Sequence, residues 1–491
     1  MRVPPFAASL TCALLVAGFL WSGNSSSEAT VTPRPLQTAV FDPIAFPGAD
    51  AAVAFAHSRE TGATLARLFL DWGAVAAQEP SSEPTNPANP AYDWSAVDRQ
   101  VKLAVAHHLQ PILDVFGPPT WARKPSTDGG PPPPELRDPA DVGRFMRAAA
   151  RRYSGTFGRL PRVRYWQVWN EPNLSLYLSP QYQSGDLVSP AIYRQIVNSV
   201  ADAVHAVHKE NVVIAGAQSP FATDPRAHYI AAPPIGFMQS FFCLSSDVNH
   251  PKATCNDRAK VDVWAHHPYT AGGPETHAQV AGNVSLGDLP EMKRVLNAAE
   301  RLDHIDSHGP VRFWVTEFSW DSNPTDPGGV PAKLEAQWVA EGMYNAWRSG
   351  VSLFTWFLVH ENPWSPTTKN SAPYQSSLFQ PGQTIAQDKP KPALAAFRFP
   401  FVGHVVNRKV SVWGRTPWGR RGKVLVEESS GQGATGWKRL GVVATDRYGI
   451  FTRTFGAPTG AYVRARLVRG RLTAPPFPLA GPEDMKVQVF G

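Results

Sequence analysis

Cysteine is scarce in this chain of 491 residues, which contains Cys12, Cys243 and Cys255 and no other. Cys12 lies in the N-terminal apolar segment and would leave with it if that segment were removed. Cys243 and Cys255 are twelve positions apart, a spacing that predicts a disulfide across a loop in an oxidising compartment; the alternative is two free thiols. Their surroundings lack the pattern of a catalytic Cys–His pair or of a tetrahedral metal site.

Long apolar runs are also few. One run, at residues 6–20, follows Arg2 and precedes the small-residue segment Ser-Glu-Ala at 27–29. This arrangement is typical of an export signal, so we predict a signal peptide over residues 1–29 and a secreted protein. A retained membrane anchor is the alternative. No later segment reaches the length that a membrane span requires.

Basic charge is unevenly distributed. Residues 408–491 contain fifteen Lys and Arg and five Asp and Glu, a net charge of +10, which leaves −3 for the rest of a chain whose total is +7. There is no arginine-rich helix and no aromatic RNA-binding signature, so nucleic acid is not predicted as a partner. Two interpretations of the basic tail stay open: contact with an anionic glycan or envelope polymer, and a surface that keeps the protein soluble.

Strand-like and helix-like segments alternate over most of the chain. Eight such β–α units predict a (β/α)₈ barrel over residues 36–403. A doubly wound open sheet is the alternative, but no glycine-rich phosphate loop follows the first strand. The predicted strands are 39–41, 65–71, 111–116, 163–169, 212–217, 261–267, 312–317 and 352–358.

Loop lengths and the tail complete the predicted architecture. The segments that leave the strands are long and rich in Pro, Gly and Asn, as at 78–93 and 360–375. In a barrel these loops open on the catalytic face, so a deep cleft is expected there. Short strand-like runs separated by turns then predict an all-β sandwich over residues 408–491. Its predicted strands are 409–414, 423–429, 438–445, 449–455, 462–468 and 485–490.

Two apolar, aromatic strands end on a glutamate. WQVWNEPN places Glu171 after the fourth predicted strand, and FWVTEFSW places Glu317 after the seventh. In a closed barrel both would point into the same mouth although 146 positions separate them. Two carboxylates that face one substrate are what glycoside hydrolysis requires. The pair therefore predicts a glycosidase site.

VWNEPN and VTEFSW resemble the motifs of clan A glycoside hydrolases, the 4/7 barrel families, and are closest to those of family 39 and family 5-like enzymes. The resemblance covers residues 36–400 and not the tail. It implies a retaining O-glycosidase in which Glu171 is the acid/base and Glu317 is the nucleophile, with carboxyl groups about 5–5.5 Å apart. No metal and no cofactor are predicted.

The same resemblance implies further substrate-binding residues. Arg67 would lie near the nucleophile, Asn170 would bond a sugar 2-hydroxyl, and His267 and Tyr269 match a His-x-Tyr pattern after strand six. An ion pair at the bottom of the barrel is the alternative for Arg67, and a core position is the alternative for His267. His266 is predicted to face the barrel wall because neighbouring strand residues alternate faces.

The tryptophans are predicted to divide between the core and the mouth. Trp356, on strand eight, is expected to be a platform on which a sugar ring stacks, and Trp121 matches the third-strand loop of the resembled family. Trp364 is also predicted at the mouth. Three tryptophans within predicted strands are expected to lie in the core: Trp166, Trp264 and Trp314.

Two other functions fit the same residues. A transglycosylase or wall-remodelling enzyme would use both glutamates and replace water with a sugar acceptor. A non-catalytic carbohydrate-binding barrel would have lost turnover. The turn-rich loop DSNPTDPGG at 321–329 lacks the ligand spacing of an EF-hand and is not predicted to bind calcium.

Overall fold

Eight parallel strands close into a barrel in the computed structural model, which describes residues 34–126, 132–223, 229–247, 249–361, 374–433 and 435–487. Each strand pairs with its neighbours in the chain, and β1 pairs with β8 to close the ring. This confirms the predicted barrel. The strands are β1 (Gln37–Phe41), β2 (Leu65–Asp71), β3 (Gln110–Phe116), β4 (Tyr165–Val168), β5 (Val212–Gln218), β6 (Val263–His266), β7 (Arg312–Val315) and β8 (Val351–Phe357).

A helix follows each barrel strand. These helices are α1 (Ala51–Glu60), α2 (Ser95–Ala106), α3 (Pro139–Arg152), α4 (Ser189–His205), α5 (Pro234–Phe241), α6 (Leu289–Arg301), α7 (Ala332–Arg348) and α8 (Pro392–Arg398). Local sequence explains their limits. In α3 the Asp138 side chain accepts the Ala140 N–H at 2.8 Å, proline occupies the first turn, and Arg151 and Arg152 complement the dipole in the last turn.

Side chains inside the barrel form layers because every second strand residue points inward. The lower layer is an apolar cluster to which all eight strands contribute, six of them through aliphatic residues and β4 and β7 through aromatic ones: Ala39, Leu65, Ile112, Tyr165, Val212, Ile214, Ala217, Val263, Ala265, Trp314 and Leu353. Two residues further along β2, β3, β4 and β8, and directly after β7, lies a fully buried polar layer: Arg67, Asp114, Gln167, Thr316 and Thr355. The polar layer is thus directly below the carboxyl ends of the strands.

The tail forms two antiparallel sheets. One contains β9 (Phe401–Val406), β10 (Lys409–Arg415) and β13 (Ile450–Thr454); the other contains β11 (Lys423–Ser429), β12 (Lys438–Ala444), β14 (Tyr462–Leu467) and β15 (Phe477–Pro478). A side chain on Gly403 would collide with Val463, so the two sheets pack face to face in a sandwich. On the opposite face of the first sheet, the Trp413 ring packs at a tilt against the rings of Tyr344 and Trp347 of α7.

The tail differs from the prediction at both ends. The strand β9 begins at Phe401, before the predicted start of the sandwich, and was not predicted as a strand. The predicted strand at 485–490 is wrong over residues 485–487, which pair with no strand, and its last three residues lie outside the described ones. Val487 instead donates its N–H to Ala271 of the barrel. The domain limits stay a prediction.

Cys243 and Cys255 form a disulfide, as predicted, across the loop that follows α5. The predicted signal peptide at residues 1–29 lies outside the described residues. Within the described ranges, no helix has both the length and the apolar character needed to cross a membrane.

Candidate active site

Glu317 lies two residues beyond the end of β7, with 15% of its side chain exposed. Its two carboxylate oxygens have different donors: Arg67 Nη1 donates to Oε2 at 2.7 Å, and the Tyr269 hydroxyl donates to Oε1 at 2.9 Å. A carboxylate that faces a guanidinium and a hydroxyl is stabilised in its ionised form. Glu317 is therefore held in one orientation as an anion.

Arg67 is fully buried in the polar layer and links three parts of the site. Besides Glu317, its guanidinium donates to Asp114 Oδ2 at 2.6 and 3.1 Å and to Asn170 Oδ1 at 2.6 Å. It also lies 4.2 Å from the centre of the Phe41 ring. Burial raises the pKa of Asp114 to about 6, and Arg67 opposes this shift. The two hydrogen bonds from the guanidinium stabilise the ionised carboxylate. Arg67 thus belongs to the mouth of the barrel and not to its bottom.

Glu171 lies in the loop after β4, where the backbone is constrained. Trp169 and Glu171 both have positive φ angles, 72° and 42°, in a backbone region that residues other than glycine rarely adopt. The Glu171 N–H donates to the carbonyl of Ala217 at the end of β5, which holds this conformation. Burial raises the pKa of Glu171 to about 7, although Arg67 opposes the shift. Such backbone outliers are typical of functional sites.

His267 lies between the two glutamates. Its Nδ1 is 3.1 Å from Glu171 Oε1 and 4.0 Å from Glu317 Oε2, so the sum of these distances limits the separation of the two oxygens to 7.1 Å. Burial lowers the pKa of His267 to about 3, and the ring is neutral at physiological pH. The neutral imidazole of His267 therefore contacts Glu171, whose carboxyl group is readily protonated. It also lies near Glu317, whose carboxyl group is ionised.

The predicted site residues differ in their contacts with Glu171 and Glu317. Arg67, Asn170 and Tyr269 form one hydrogen-bonded network with Glu317, and His267 pairs with Glu171. His266 points the other way, with Nε2 2.8 Å from the Val284 carbonyl oxygen.

The tryptophans are arranged as follows. Trp121 is half-buried on the loop after β3, donates to the Ala76 carbonyl at 2.8 Å and packs edge-on against Trp72; its contact with substrate stays a prediction. The side chains of Trp166, Trp264 and Trp314 are fully buried. Trp364 lies outside the described residues.

The predicted stacking platform at Trp356 is wrong. Trp356 is fully buried, donates to the Ser376 carbonyl at 2.7 Å and packs against Phe397 of α8, outside the barrel wall. The next residue, Phe357, is the one that faces the mouth, where it contacts Phe41 and Tyr374. Side chains alternate along a strand, so a shift of one position exchanges the core face for the site face.

Sequence reasoning missed several residues at the site. Asp114, which anchors Arg67, had a signal in the sequence, because an ionisable residue stands inside the otherwise apolar strand PILDVF. Tyr177 had no comparable signal. Burial is the main cause that raises the pKa of Tyr177, and both glutamates add to it through their charge. The aromatic lining formed by Phe41, Phe69 and Phe116 also depends on contacts between strands.

No protein-family model matches this sequence, and no curated protein matches it. Among solved structures, a family 39 glycoside hydrolase from Bacteroides cellulosilyticus superposes with a TM-score of 0.51 at 16% identity, covering 86% of this chain and 79% of the other. A family 39 enzyme from Xanthomonas axonopodis pv. citri has a TM-score of 0.48 at 13% identity and 86% and 91% coverage. The first of these likenesses shows that the chain shares the barrel fold of a known glycoside hydrolase.

Proposed function

We propose that this protein is a retaining O-glycosidase that hydrolyses an oligosaccharide or polysaccharide. The observation that carries the proposal is the pair of carboxyl groups around His267, one ionised through Arg67 and Tyr269 and the other with a pKa of about 7. Two carboxyl groups with opposite protonation are the requirement of this reaction. The limit of 7.1 Å on the oxygen separation is compatible with the short spacing of the retaining mechanism.

In the first step Glu317 attacks the anomeric carbon as that carbon loses its bond to the leaving oxygen. Glu171 gives its proton to that oxygen, so the leaving sugar departs as a neutral alcohol and Glu171 becomes a carboxylate. The product is a covalent ester between Glu317 and the glycosyl group. Arg67 and Tyr269 hold the Glu317 carboxylate in the position of attack, which limits the loss of orientation entropy in the transition state.

In the second step water attacks the same anomeric carbon and the ester bond to Glu317 breaks. Glu171, now ionised, takes a proton from the water and returns to its starting state. Two displacements on opposite faces restore the original anomeric configuration. A sugar hydroxyl in place of water would give transglycosylation through the same intermediate.

The proposal is tested by hydrolysis assays on aryl glycosides and on plant and bacterial polysaccharides, with Glu317→Gln as the inactive comparison. Turnover of at least one substrate, with retained configuration by NMR, supports the proposal. An inverted product would contradict the retaining mechanism. Binding to glycans with no turnover of any substrate would instead support a non-catalytic barrel, and transfer to an added sugar acceptor in preference to water would support a transglycosylase.

The pH dependence follows from Glu171. The first step needs Glu171 protonated, and its pKa of about 7 predicts that kcat/KM falls about tenfold per pH unit above neutrality. The measurement is a pH–rate profile with an unactivated substrate. In Glu171→Gln, assayed with an activated aryl substrate, this alkaline limb should disappear. A wild-type profile that stays flat to pH 9 would contradict the acid role of Glu171.

We also propose that the protein is secreted. The N-terminal pattern of Arg2 followed by the apolar run at 6–20 supports export. Expression in a secreting host, followed by N-terminal sequencing of protein from the medium, tests this. A chain that begins near residue 30 supports the proposal, whereas a membrane-bound chain that retains residues 1–29 contradicts it.

We also propose that the tail contacts an anionic glycan through the outer face of its four-stranded sheet. Arg464 donates to Glu427 at 3.0 Å and lies 4.1 Å from the Trp437 ring, and the neighbouring Arg466 is 3.8 Å from Glu427. Arg439 pairs with Glu427 across the sheet and is exposed. One carboxylate among three arginines leaves this face positively charged, which favours a polyanion.

Reversing two of these charges should weaken polyanion binding. We expect Arg439→Glu/Arg466→Glu to lose retention on a heparin column at low salt, because the electrostatic attraction changes sign. The control Lys102→Glu/Lys333→Glu alters two exposed lysines of α2 and α7 and changes the net charge equally. Equal loss in both variants would show that net charge and not this face governs binding.

A further inference from the structure

A second cluster of ligand-type side chains lies at the other end of the barrel from the glutamates. His205 is the last residue of α4, Asp262 directly precedes β6, and His308 lies in the turn before β7. Asp262 Oδ2 is 3.5 Å from His205 Nε2, and Asp262 Oδ1 is 3.2 Å from His308 Nδ1. The two imidazole rings are 4.4 Å apart between centroids.

Asp262 is held rigidly by the barrel. Its backbone joins β5 to β7, because its N–H donates to Val213 and its carbonyl accepts from Arg312. Each side-chain oxygen accepts one backbone N–H, Oδ2 from Val213 at 2.8 Å and Oδ1 from His308 at 3.2 Å. Asp262 is therefore an oriented carboxylate that faces two imidazoles.

The spacing of the three side chains fits a tetrahedral metal ion. Zinc bound to nitrogen and oxygen at about 2.1 Å places adjacent ligand atoms about 3.4 Å apart. Each imidazole nitrogen faces a different Asp262 oxygen near this value, His205 Nε2 at 3.5 Å from Oδ2 and His308 Nδ1 at 3.2 Å from Oδ1. One ligand atom from each of the three residues lies within 4.8 Å of the other two. We propose that His205, Asp262 and His308 bind one Zn²⁺ ion.

The fourth position has two suitable oxygens. The carbonyl oxygen of Asn211 lies 3.0 Å from His205 Nε2, and His308 is 55% exposed, so water also reaches the site. To bind the metal, His205 must carry its ring proton on Nδ1 and present a free lone pair at Nε2, because imidazole binds metals only when the ligating nitrogen is unprotonated. The backbone donors to Asp262 supply the outer hydrogen bonds that orient a metal-binding carboxylate.

This zinc site is structural and lies beyond the proposed glycosidase reaction. Asp262 is at the amino end of β6, whereas Glu171 and Glu317 are beyond the carboxyl ends of β4 and β7. Residues at the amino-terminal face of such a barrel typically stabilise the fold. The ion would tie the end of α4 to β6 and to the turn before β7. Its ligands are 57 and 46 positions apart, which no short zinc motif shows.

Calorimetric titration of the untagged protein with Zn²⁺ at pH 7.5 tests the proposal. We expect one equivalent to bind, with affinity lowered at least about tenfold in His308→Ala and in His205→Gln. The matched control is His277→Ala, because His277 forms a similar pair with Asp288 at 2.6 Å and is also exposed. This control should bind zinc as the wild type does. Binding should weaken as the pH falls to 5.5, since protons compete for the imidazoles.

Several results would overturn the proposal. Absence of wild-type binding at millimolar Zn²⁺ would show that the cluster is an ion-paired group only. Equal affinity in the wild type and in His308→Ala would place any bound zinc elsewhere, as would sulfur ligands in the X-ray absorption spectrum of the zinc-bound protein. His308 is exposed and its ring is not part of the core, so His308→Ala keeps the test valid if His205→Gln does not fold; circular dichroism of both variants without zinc checks this.

Discussion

Glu317→Gln is expected to reduce hydrolysis by more than about 1,000-fold while leaving the fold intact. The amide cannot form the covalent ester, because it lacks the anionic oxygen that attacks the anomeric carbon. Its size is the same, and Tyr269 can still donate to the remaining carbonyl oxygen. Arg67 keeps Asp114 as a charged partner, so the buried guanidinium is not left without an anion. The measurement is kcat/KM, together with the thermal unfolding midpoint.

A matched control for this variant is Glu335→Gln. Glu335 is a fully buried glutamate of α7 whose pKa burial raises to about 8, so it is neutral near pH 7 and the amide is a close substitute. We expect its activity to equal that of the wild type. The role of Glu317 is tested further in Glu317→Ala, where azide can enter the vacated space and attack directly. The expected product is a glycosyl azide of inverted configuration; wild-type turnover by Glu317→Gln would rule out the nucleophile assignment.

The second large effect is expected at Glu171. Glu171→Ala should lower the rate of the first step by about 10²- to 10⁴-fold for a substrate whose leaving group is an ordinary sugar alcohol, because that oxygen needs a proton. A dinitrophenyl glycoside carries a leaving group that departs as a stable anion, so its first step should change far less. The measurement is a comparison of kcat/KM across aryl glycosides of increasing leaving-group pKa. The plot of log kcat/KM against the leaving-group pKa should have a much steeper slope for Glu171→Ala than for the wild type.

Azide distinguishes Glu171 from Glu317. In Glu171→Ala the intermediate on Glu317 still forms, and azide then replaces water, so the expected glycosyl azide has retained configuration. If Glu171→Ala lowered kcat/KM by the same factor for every leaving group, acid catalysis by Glu171 would be contradicted. An inverted azide product from Glu171→Ala, with a retained one from Glu317→Ala, would mean that the two roles are exchanged.

The geometry of the polar layer depends on tertiary contacts that the sequence does not encode locally. Arg67 was predicted from its resemblance to known barrels, but its contacts with Asp114, Asn170 and Glu317 join β2, β3, the loop after β4 and the residue beyond β7. Residues that are 47 to 250 positions apart become neighbours only when the sheet closes. The same holds for the His205–Asp262–His308 cluster at the other end.

Local patterns in the sequence are enough to predict the barrel, most strands of the sandwich, the disulfide and the position of both glutamates at strand ends, because alternation, turns and motif spacing are local properties. The face that each aromatic residue presents depends on contacts between strands that are distant in the chain. Trp356 and Phe357 are both apolar and adjacent, so composition cannot say which one points inward; the register of β8 against β1 does. The tertiary structure also decides that burial raises the pKa of Glu171, since the residues that exclude water from it come from other strands and loops.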